Sequence, residues 1–211
     1  MVEQNIDVDE LIDRISSKNP DIVEFRTDNL SETSILEVIA QKKKFAAIAT
    51  DKASREPAAK SKLLTTAATA GFDFVDVDLC SDDAGDGLDQ IKESGAKVIV
   101  SFHDWARTPS LHELDRILNS AKKRRADMYK IVTTAVRPRD NLTILSFLEE
   151  KSTETKLVSF AMGTIGIPSR VLSPMFGSEF TFAALNEESA TAYGQLSIDS
   201  LRSAWSLLGL Q

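Results

Sequence analysis

The sequence contains very little cysteine and no long apolar run, and both shortages exclude classes of protein. Its one cysteine, Cys80, cannot form an internal disulfide or a cysteine-based zinc cage, and this usage is typical of a reducing compartment. No apolar stretch approaches the ~20 residues of a membrane span. The opening residues, MVEQNIDVDELIDR, show neither the basic nor the apolar part of an export signal. We therefore expect a soluble, cytoplasmic protein.

Basic residues are fewer than acidic ones. The 25 lysines and arginines against 32 aspartates and glutamates give a net charge of −7, which disfavours non-specific binding to nucleic acid or to an anionic membrane. A small anionic substrate is still compatible with this charge. The hydrophobic fraction of 42% is ordinary for a globular protein, and 211 residues suit a single domain over 1–211.

Histidine and the usual cofactor motifs are also scarce. His103 and His112 are far apart and have no carboxylate at ligand spacing, so no metal site is predicted. His112 lies on the polar side of a predicted helix, where we expect it to be solvated. The chain has neither a glycine-rich dinucleotide fingerprint nor a GxxxxGK[ST] loop, and we predict no cofactor.

Short runs of β-branched and aromatic residues recur along the chain and predict buried strands. Amphipathic stretches lie between them, for example the leucines at 142, 145 and 148. A helix in every gap between strands about 23–31 residues apart is typical of βαβ units and a parallel sheet. The predicted strands are 21–26, 45–50, 72–79, 97–102, 128–133, 156–162 and 179–185.

A parallel sheet of this kind is either doubly wound or closed into a barrel. The missing nucleotide-binding motifs favour the barrel. Asp7 followed by Glu10 indicates a helix start, so only Met1–Ile6 is left for a strand before it. The prediction is a compact (β/α)8 TIM barrel with a short or reduced first strand, near the lower limit of ~200 residues for that fold.

In such barrels the catalytic groups project from the carboxyl ends of the strands. Lys130 is the most informative of these, because it stands among apolar residues in DMYKIVTTA, where a charge is costly to bury. Desolvation and neighbouring cations lower the pKa of such a lysine, and a neutral amine can attack a ketone to form a Schiff base. Arg26, Lys52 and Arg170 could supply the cations. The alternative is a snorkelling or salt-bridged lysine at a strand edge.

Two further strand-end residues suit catalysis or binding. His103 follows the strand at 97–102, and its near-neutral pKa suits proton transfer. Arg170 follows the strand at 156–162, and a planar guanidinium binds a carboxylate bidentately. Gly163 and Gly166 beside it would permit a tight loop over an anion.

Six segments between residues 21 and 198, taken in order, closely resemble the type I 3-dehydroquinate dehydratases of the shikimate pathway. They are DIVEFRTD, VIVSFHDWARTP, ADMYKI, AMGTIGIPSR, FGSEFTF and TAYGQLS. The S-x-H-D-[FW]-x-x-TP block, the lysine about 27 residues after its histidine, and the MG-x-x-G-x-x-SR block form a specific combination. The resemblance implies a cytoplasmic, homodimeric hydro-lyase that converts 3-dehydroquinate to 3-dehydroshikimate and water.

The resemblance also implies the residue roles. The substrate ketone would condense with Lys130, and His103 would remove the adjacent proton and return one to the departing hydroxyl in a syn elimination. Glu56 falls on the glutamate that orients this histidine. The substrate-binding residues implied in the same way are Glu24, Arg26, Lys52, Arg170, Thr191 and Gln195.

The sequence departs from the family pattern in two loops. Lys52 stands where arginine is usual, and Pro57 and Ala58 stand where two glycines are usual. In the closing loop Thr191 replaces serine and Tyr193 replaces proline, so the loop is looser or Tyr193 packs against something.

Two other functions stay open. A class I aldolase-like enzyme also uses a strand lysine, but it acts on sugar phosphates. A non-catalytic ligand-binding barrel would explain the altered Lys52 and Tyr193 positions.

Overall fold

The computed structural model describes residues 7–42, 44–53, 56–80, 86–190 and 192–210. Strands and helices alternate through this part of the chain, which forms two compact units that meet in sequence at Val100 and Ser101. The strands are β1 Ile22–Arg26, β2 Ala46–Thr50, β3 Phe74–Asp78, β4 Lys97–His103, β5 Met128–Thr134 and β6 Leu157–Met162. The helices are α1 Val8–Ser17, α2 Glu32–Gln41, α3 Pro57–Ala70, α4 Asp86–Glu93, α5 Leu111–Lys122, α6 Arg139–Lys151, α7 Ile167–Leu172 and α8 Ile198–Leu207.

The first unit begins with α1, at the helix start that the sequence predicts. The Asp7 carboxylate accepts a hydrogen bond of 2.9 Å from the Asp9 N–H and so caps the helix. The buried positions Val8, Ile12 and Ile15 recur at helical spacing and form the apolar face of α1.

The sheet of the first unit has the order β1-β2-β3-β4, which is the order of the chain. β1 pairs with β2 in parallel from Ile22 opposite Ala46, and β2 pairs with β3 in parallel from Ile48 opposite Phe74. Chain order and parallel pairing follow from the crossover helices between the strands. The carboxyl ends of β1 and β2 therefore lie at the same edge.

The second unit contains the end of β4, then β5 and β6. β5 and β6 pair in parallel from Tyr129 opposite Leu157 to Thr134 opposite Met162. Every residue of β6 is buried, as is typical of a parallel strand that is covered on both faces. α5 begins with a capping box in which Ser110 and Glu113 satisfy each other's backbone N–H groups.

The predicted strand at 179–185 is wrong, because this segment forms no strand. Its backbone groups bind other partners: the Glu179 N–H donates to Leu157, and the Phe182 carbonyl accepts from the Arg170 side chain. Only Ala184 makes a single parallel bridge, to Ser197. The predicted strand at 1–6 lies outside the described residues, which supply six of the eight strands expected for a (β/α)8 barrel.

Three side chains test the predicted burial pattern. Leu145 and Leu148 are buried on α6 as expected, but Leu142 is 65% exposed. Cys80 is also exposed.

None of the helices in the described part of the chain is long and apolar enough to cross a membrane.

Candidate active site

Lys130 lies in the middle of β5 and is only 5% exposed. Its Nζ is 4.3 Å from the centroid of the Phe182 ring and lies over the ring face. The prediction of a lysine buried among apolar residues is confirmed, and a lysine that snorkels to the surface is excluded. The Lys130 amine therefore lies in a largely desolvated environment.

Arg170 on α7 is buried even more completely, at 2% exposure. Its Cζ lies 4.3 Å from the centroid of the Phe160 ring, and its Nη1 donates a 3.2 Å hydrogen bond to the Phe182 carbonyl. Burial lowers the pKa of this guanidinium to about 10, so it stays charged at neutral pH. Within the part of the chain that the structure describes, no carboxylate pairs with it and its Nε has no hydrogen-bond partner. This geometry suits an anionic ligand.

An aromatic cluster connects the two buried cations. Phe160 on β6 packs against Phe182 at 6.0 Å between ring centroids, and Phe180 packs edge-on against Phe182 at 5.4 Å. Lys130 and Arg170 both contact Phe182, one through the ring face and the other through the carbonyl. Apolar surroundings of this kind strengthen the attraction between a buried cation and an anion.

Arg170 is positioned by a hydrogen-bond network at the start of α7. Asn141 on α6 accepts from the Ser169 N–H at 3.0 Å and donates to the Ile165 carbonyl at 2.8 Å. The Ser169 hydroxyl accepts from the Ala161 N–H of β6 at 3.0 Å. Sequence reasoning missed Asn141, because it follows charged residues at the polar start of α6 and nothing in the sequence sets it apart.

His103 ends β4, and its ring stacks on Trp105 with 5.4 Å between centroids and 14° between planes. The backbone that follows His103 is fixed to β5, because the Asp104 N–H donates to Val132 at 2.9 Å and the Asp104 carbonyl accepts from the Thr134 hydroxyl at 2.9 Å. His103 and Lys130 therefore belong to successive strands. Sequence reasoning did not predict the contact with Trp105. His112 is exposed on α5, as predicted.

The loop that contains Gln195 contacts, through its backbone, the loop that follows β6. The Gly163 N–H donates to the Tyr193 carbonyl at 2.9 Å, and a Cβ on Gly194 would lie 2.2 Å from the Gly163 oxygen. Gly194 therefore permits the close approach of the two backbones. Gly166 serves a similar approach, since its Cβ would lie 2.4 Å from the Ala161 oxygen.

Two predictions for this closing loop have different outcomes. The Tyr193 side chain is 90% exposed, so of the two predicted alternatives the one in which Tyr193 packs against something is wrong, and a looser loop stays a prediction. Thr191 lies outside the described residues.

In the first unit, two predicted binding residues lie on β1. The Glu24 carboxylate accepts a 3.0 Å hydrogen bond from the Thr50 hydroxyl on β2. Arg26 binds the Asp28 carboxylate with two hydrogen bonds of 2.8 and 2.7 Å, and this interaction raises the pKa of the arginine above its usual value. Asp28 therefore holds the Arg26 guanidinium at the end of β1.

Lys52 and Glu56 lie in the segment after β2. The Lys52 Nζ is 3.5 Å from an oxygen of Asp76 and 3.6 Å from an oxygen of Asp78, at the end of β3. Glu56 is exposed and is the N-cap residue of α3, whose first position is Pro57. Among the described residues, no group of three or more histidine, cysteine or acidic side chains is placed to hold a metal ion.

The comparison that decides the family covers the complete chain. Residues 1–211 match the family model described as type I 3-dehydroquinase. The chain belongs to the type I 3-dehydroquinase family. The likeness predicted from the sequence segments is therefore confirmed at the level of the family.

Individual relatives agree with the family model. A 3-dehydroquinate dehydratase of Dehalococcoides mccartyi strain 195 is 38% identical over 64% of this chain and 60% of its own length, so the match spans under two thirds of that relative. One from Pyrococcus abyssi is 30% identical over 96% of this chain and 94% of its own. The crystal structure of 3-dehydroquinate dehydratase from Geobacillus kaustophilus superposes with a TM-score of 0.87 at 24% identity, covering 95% of this chain and 85% of that one, which shows a shared α/β fold.

Proposed function

We propose that this chain is a 3-dehydroquinate dehydratase, which converts 3-dehydroquinate to 3-dehydroshikimate and water in the shikimate pathway. The observation that carries the proposal is the pair of buried cations, Lys130 and Arg170, that share Phe182. A ketone that also carries a carboxylate suits this pair, because an amine attacks the one and a guanidinium binds the other. Membership of the type I family supports the same substrate.

The chemistry proposed for Lys130 is covalent. Its neutral amine adds to the substrate ketone, the hydroxyl of the neutral adduct takes up one proton and departs as water, and an iminium cation is left in place of the carbonyl. The iminium withdraws electrons from the neighbouring carbon and acidifies its C–H bond. His103 removes that proton, which gives an enamine.

The same histidine completes the elimination. The imidazolium returns a proton to the hydroxyl on the next carbon but one from the imine, which departs as water while the enamine electrons form the new double bond. Because His103 is both the base and the acid, the proton and the hydroxyl leave from the same face of the substrate. The elimination is therefore syn. Hydrolysis of the product imine restores Lys130 and releases an enone.

Arg170 is the proposed carboxylate-binding residue. A guanidinium that is 2% exposed and has no carboxylate partner among the described residues gains more from an anionic ligand than one that already has an ion pair. The acidic net charge of the chain does not oppose this, because the local field around the aromatic cluster is set by the nearest charges.

The other predicted site residues keep their proposed roles. Glu24, Arg26 and Lys52 would contact substrate hydroxyls, and Thr191 and Gln195 would close over the ligand. Glu56 would orient His103. Further proposals for the complete molecule are a single catalytic domain with the (β/α)8 barrel fold, no cofactor, a homodimer and a cytoplasmic location.

Turnover of 3-dehydroquinate, followed by the ultraviolet absorbance of the enone product, tests the function. The protein should produce the enone, and Lys130→Met should abolish turnover because methionine fills the space but cannot form an imine. Lys97→Met is the matched control, since Lys97 also lies on a strand and over a phenylalanine ring, at 5.6 Å, but at the exposed start of β4. Enone production by Lys130→Met at the wild-type rate would reject the proposal.

A further inference from the structure

Each of the two buried cations of the second unit lies over its own phenylalanine ring. Lys130 lies over Phe182 and Arg170 lies over Phe160, both at 4.3 Å from the ring centroid. The two rings contact each other at 6.0 Å and are inclined by 54°, so the cations face different ring planes. Both cations are 5% exposed or less, and water therefore contributes little to their stabilisation.

The face of a benzene ring carries the negative part of its quadrupole and attracts a cation within about 6 Å of the centroid. This attraction is stronger where both partners are desolvated. A leucine at the same place would fill much of the volume but would offer no such attraction. The ring faces are therefore a means of fixing each charge that packing alone does not supply.

We propose that Phe182 and Phe160 are separate positioning residues for the two halves of the substrate. Lys130 attacks as the neutral amine, so the face of the Phe182 ring stabilises chiefly the iminium cation that forms on the lysine nitrogen, and the Phe160 ring holds the Arg170 guanidinium that binds the carboxylate. This inference rests on the proposed dehydratase function. It adds that imine formation and carboxylate binding can be impaired independently.

The backbone geometry makes the two effects separable. The hydrogen bond from Arg170 goes to the carbonyl of Phe182, not to its ring. Phe182→Leu therefore removes the ring face over Lys130 and keeps the acceptor for Arg170. Phe160→Leu removes the ring face under Arg170 and leaves the ring over Lys130.

Two measurements report separately on imine formation and on carboxylate binding. The rate at which borohydride traps 3-dehydroquinate on Lys130 at saturating substrate reports imine formation. The dissociation constant of quinate, which has the carboxylate but a hydroxyl in place of the ketone, reports carboxylate binding by calorimetry. We expect Phe182→Leu to slow trapping about tenfold to thirtyfold and to change quinate affinity less than twofold. Phe160→Leu should weaken quinate about tenfold and leave the trapping rate within twofold.

A control and a graded series keep the test decisive. Phe180→Leu alters a ring that packs edge-on against Phe182, so it reports packing alone and should leave both measurements within twofold. Incorporation of 4-fluoro- and 3,5-difluorophenylalanine at 182 preserves the shape of the ring but weakens its negative face, and trapping should slow with each added fluorine. Equal losses in both assays for Phe182→Leu and Phe160→Leu, or trapping that ignores fluorination, would overturn the inference. Wild-type protein that traps no substrate at all would instead reject the dehydratase proposal.

Discussion

At Arg170 a positive charge is held in the interior between the Phe160 ring and the Phe182 carbonyl. Burial lowers its pKa to about 10, so the folded state binds this proton more weakly than the unfolded chain does. At every pH below about 10 the group is charged in both states, and the desolvation cost is present in full; it decreases only as the pH rises above that value. A cost that persists at neutral pH is typical of a residue kept for binding.

Arg170→Met should stabilise the fold and abolish carboxylate binding, because the buried charge costs stability but binds the ligand. Methionine keeps most of the volume over Phe160 and removes the unpaired charge, so we expect the free energy of unfolding at pH 7 to rise by about 1 kcal/mol. Quinate binding should be lost. Urea denaturation and calorimetry measure the two effects, and Arg116→Met on the exposed side of α5 should change neither. A destabilised variant would show that Arg170 is mainly a structural residue.

Individual residues differ in how far the sequence could predict them. Lys130 and Arg170 were identifiable, because a charge in an apolar strand and an arginine after one are visible in the sequence. Phe182, Trp105 and Asn141 were not, since the contacts that matter join residues 12 to 52 positions apart or depend on ring orientation. Pairings of that kind are decided by tertiary packing, which hydrophobic periodicity does not encode.

Among the elements, the contact between the loop after β6 and the loop before α8 depends on two glycines. Gly194 has a φ of +74°, and its missing side chain lets the Gly163 carbonyl approach. The hydrogen bond from the Gly163 N–H to Tyr193 completes the contact. The position of Gln195 follows from this approach, because it is the next residue in the chain.

Gly194→Ala should therefore displace the closing loop. The new Cβ would meet the Gly163 oxygen at 2.2 Å, so one of the two loops must move. We expect kcat/KM for 3-dehydroquinate to fall at least tenfold, as in other displaced lids. Gly209→Ala is the control, because Gly209 has a similar φ of +69° and nothing within 4 Å of its Cβ, so backbone strain alone is present. Equal effects of the two substitutions would mean that strain, not the loop contact, matters.

The strands also show where hydrophobic periodicity fails as a predictor of secondary structure. Six predicted strands are present within two residues of their expected ends, because their apolar runs are flanked by helices that force parallel pairing. The segment 179–185 has the same composition but no ladder, since Arg170 and Leu157 bind its backbone groups. A strand-like sequence thus predicts burial, whereas the partner of its backbone depends on the fold around it.

For the molecule as a whole, composition was a better guide to what the chain excludes than to what it binds. A net charge of −7 argues against polyanions, and yet Lys130 and Arg170 form a local cationic site among phenylalanines. The electrostatic field at a buried site is governed by the nearest desolvated charges, and distant surface carboxylates are screened by water and salt. Net charge therefore does not decide the sign of the ligand.

Borohydride reduction followed by peptide mass spectrometry shows whether Lys130 forms an imine with 3-dehydroquinate. The peptide that contains Lys130 should gain the mass of one reduced adduct. His103→Ala should trap the adduct as well while losing nearly all turnover, since the histidine acts after the imine has formed. Lys97→Met should trap like the wild type. No gain of mass on the Lys130 peptide of the wild-type protein, under conditions in which it turns over 3-dehydroquinate, would show that the reaction does not pass through an imine on Lys130.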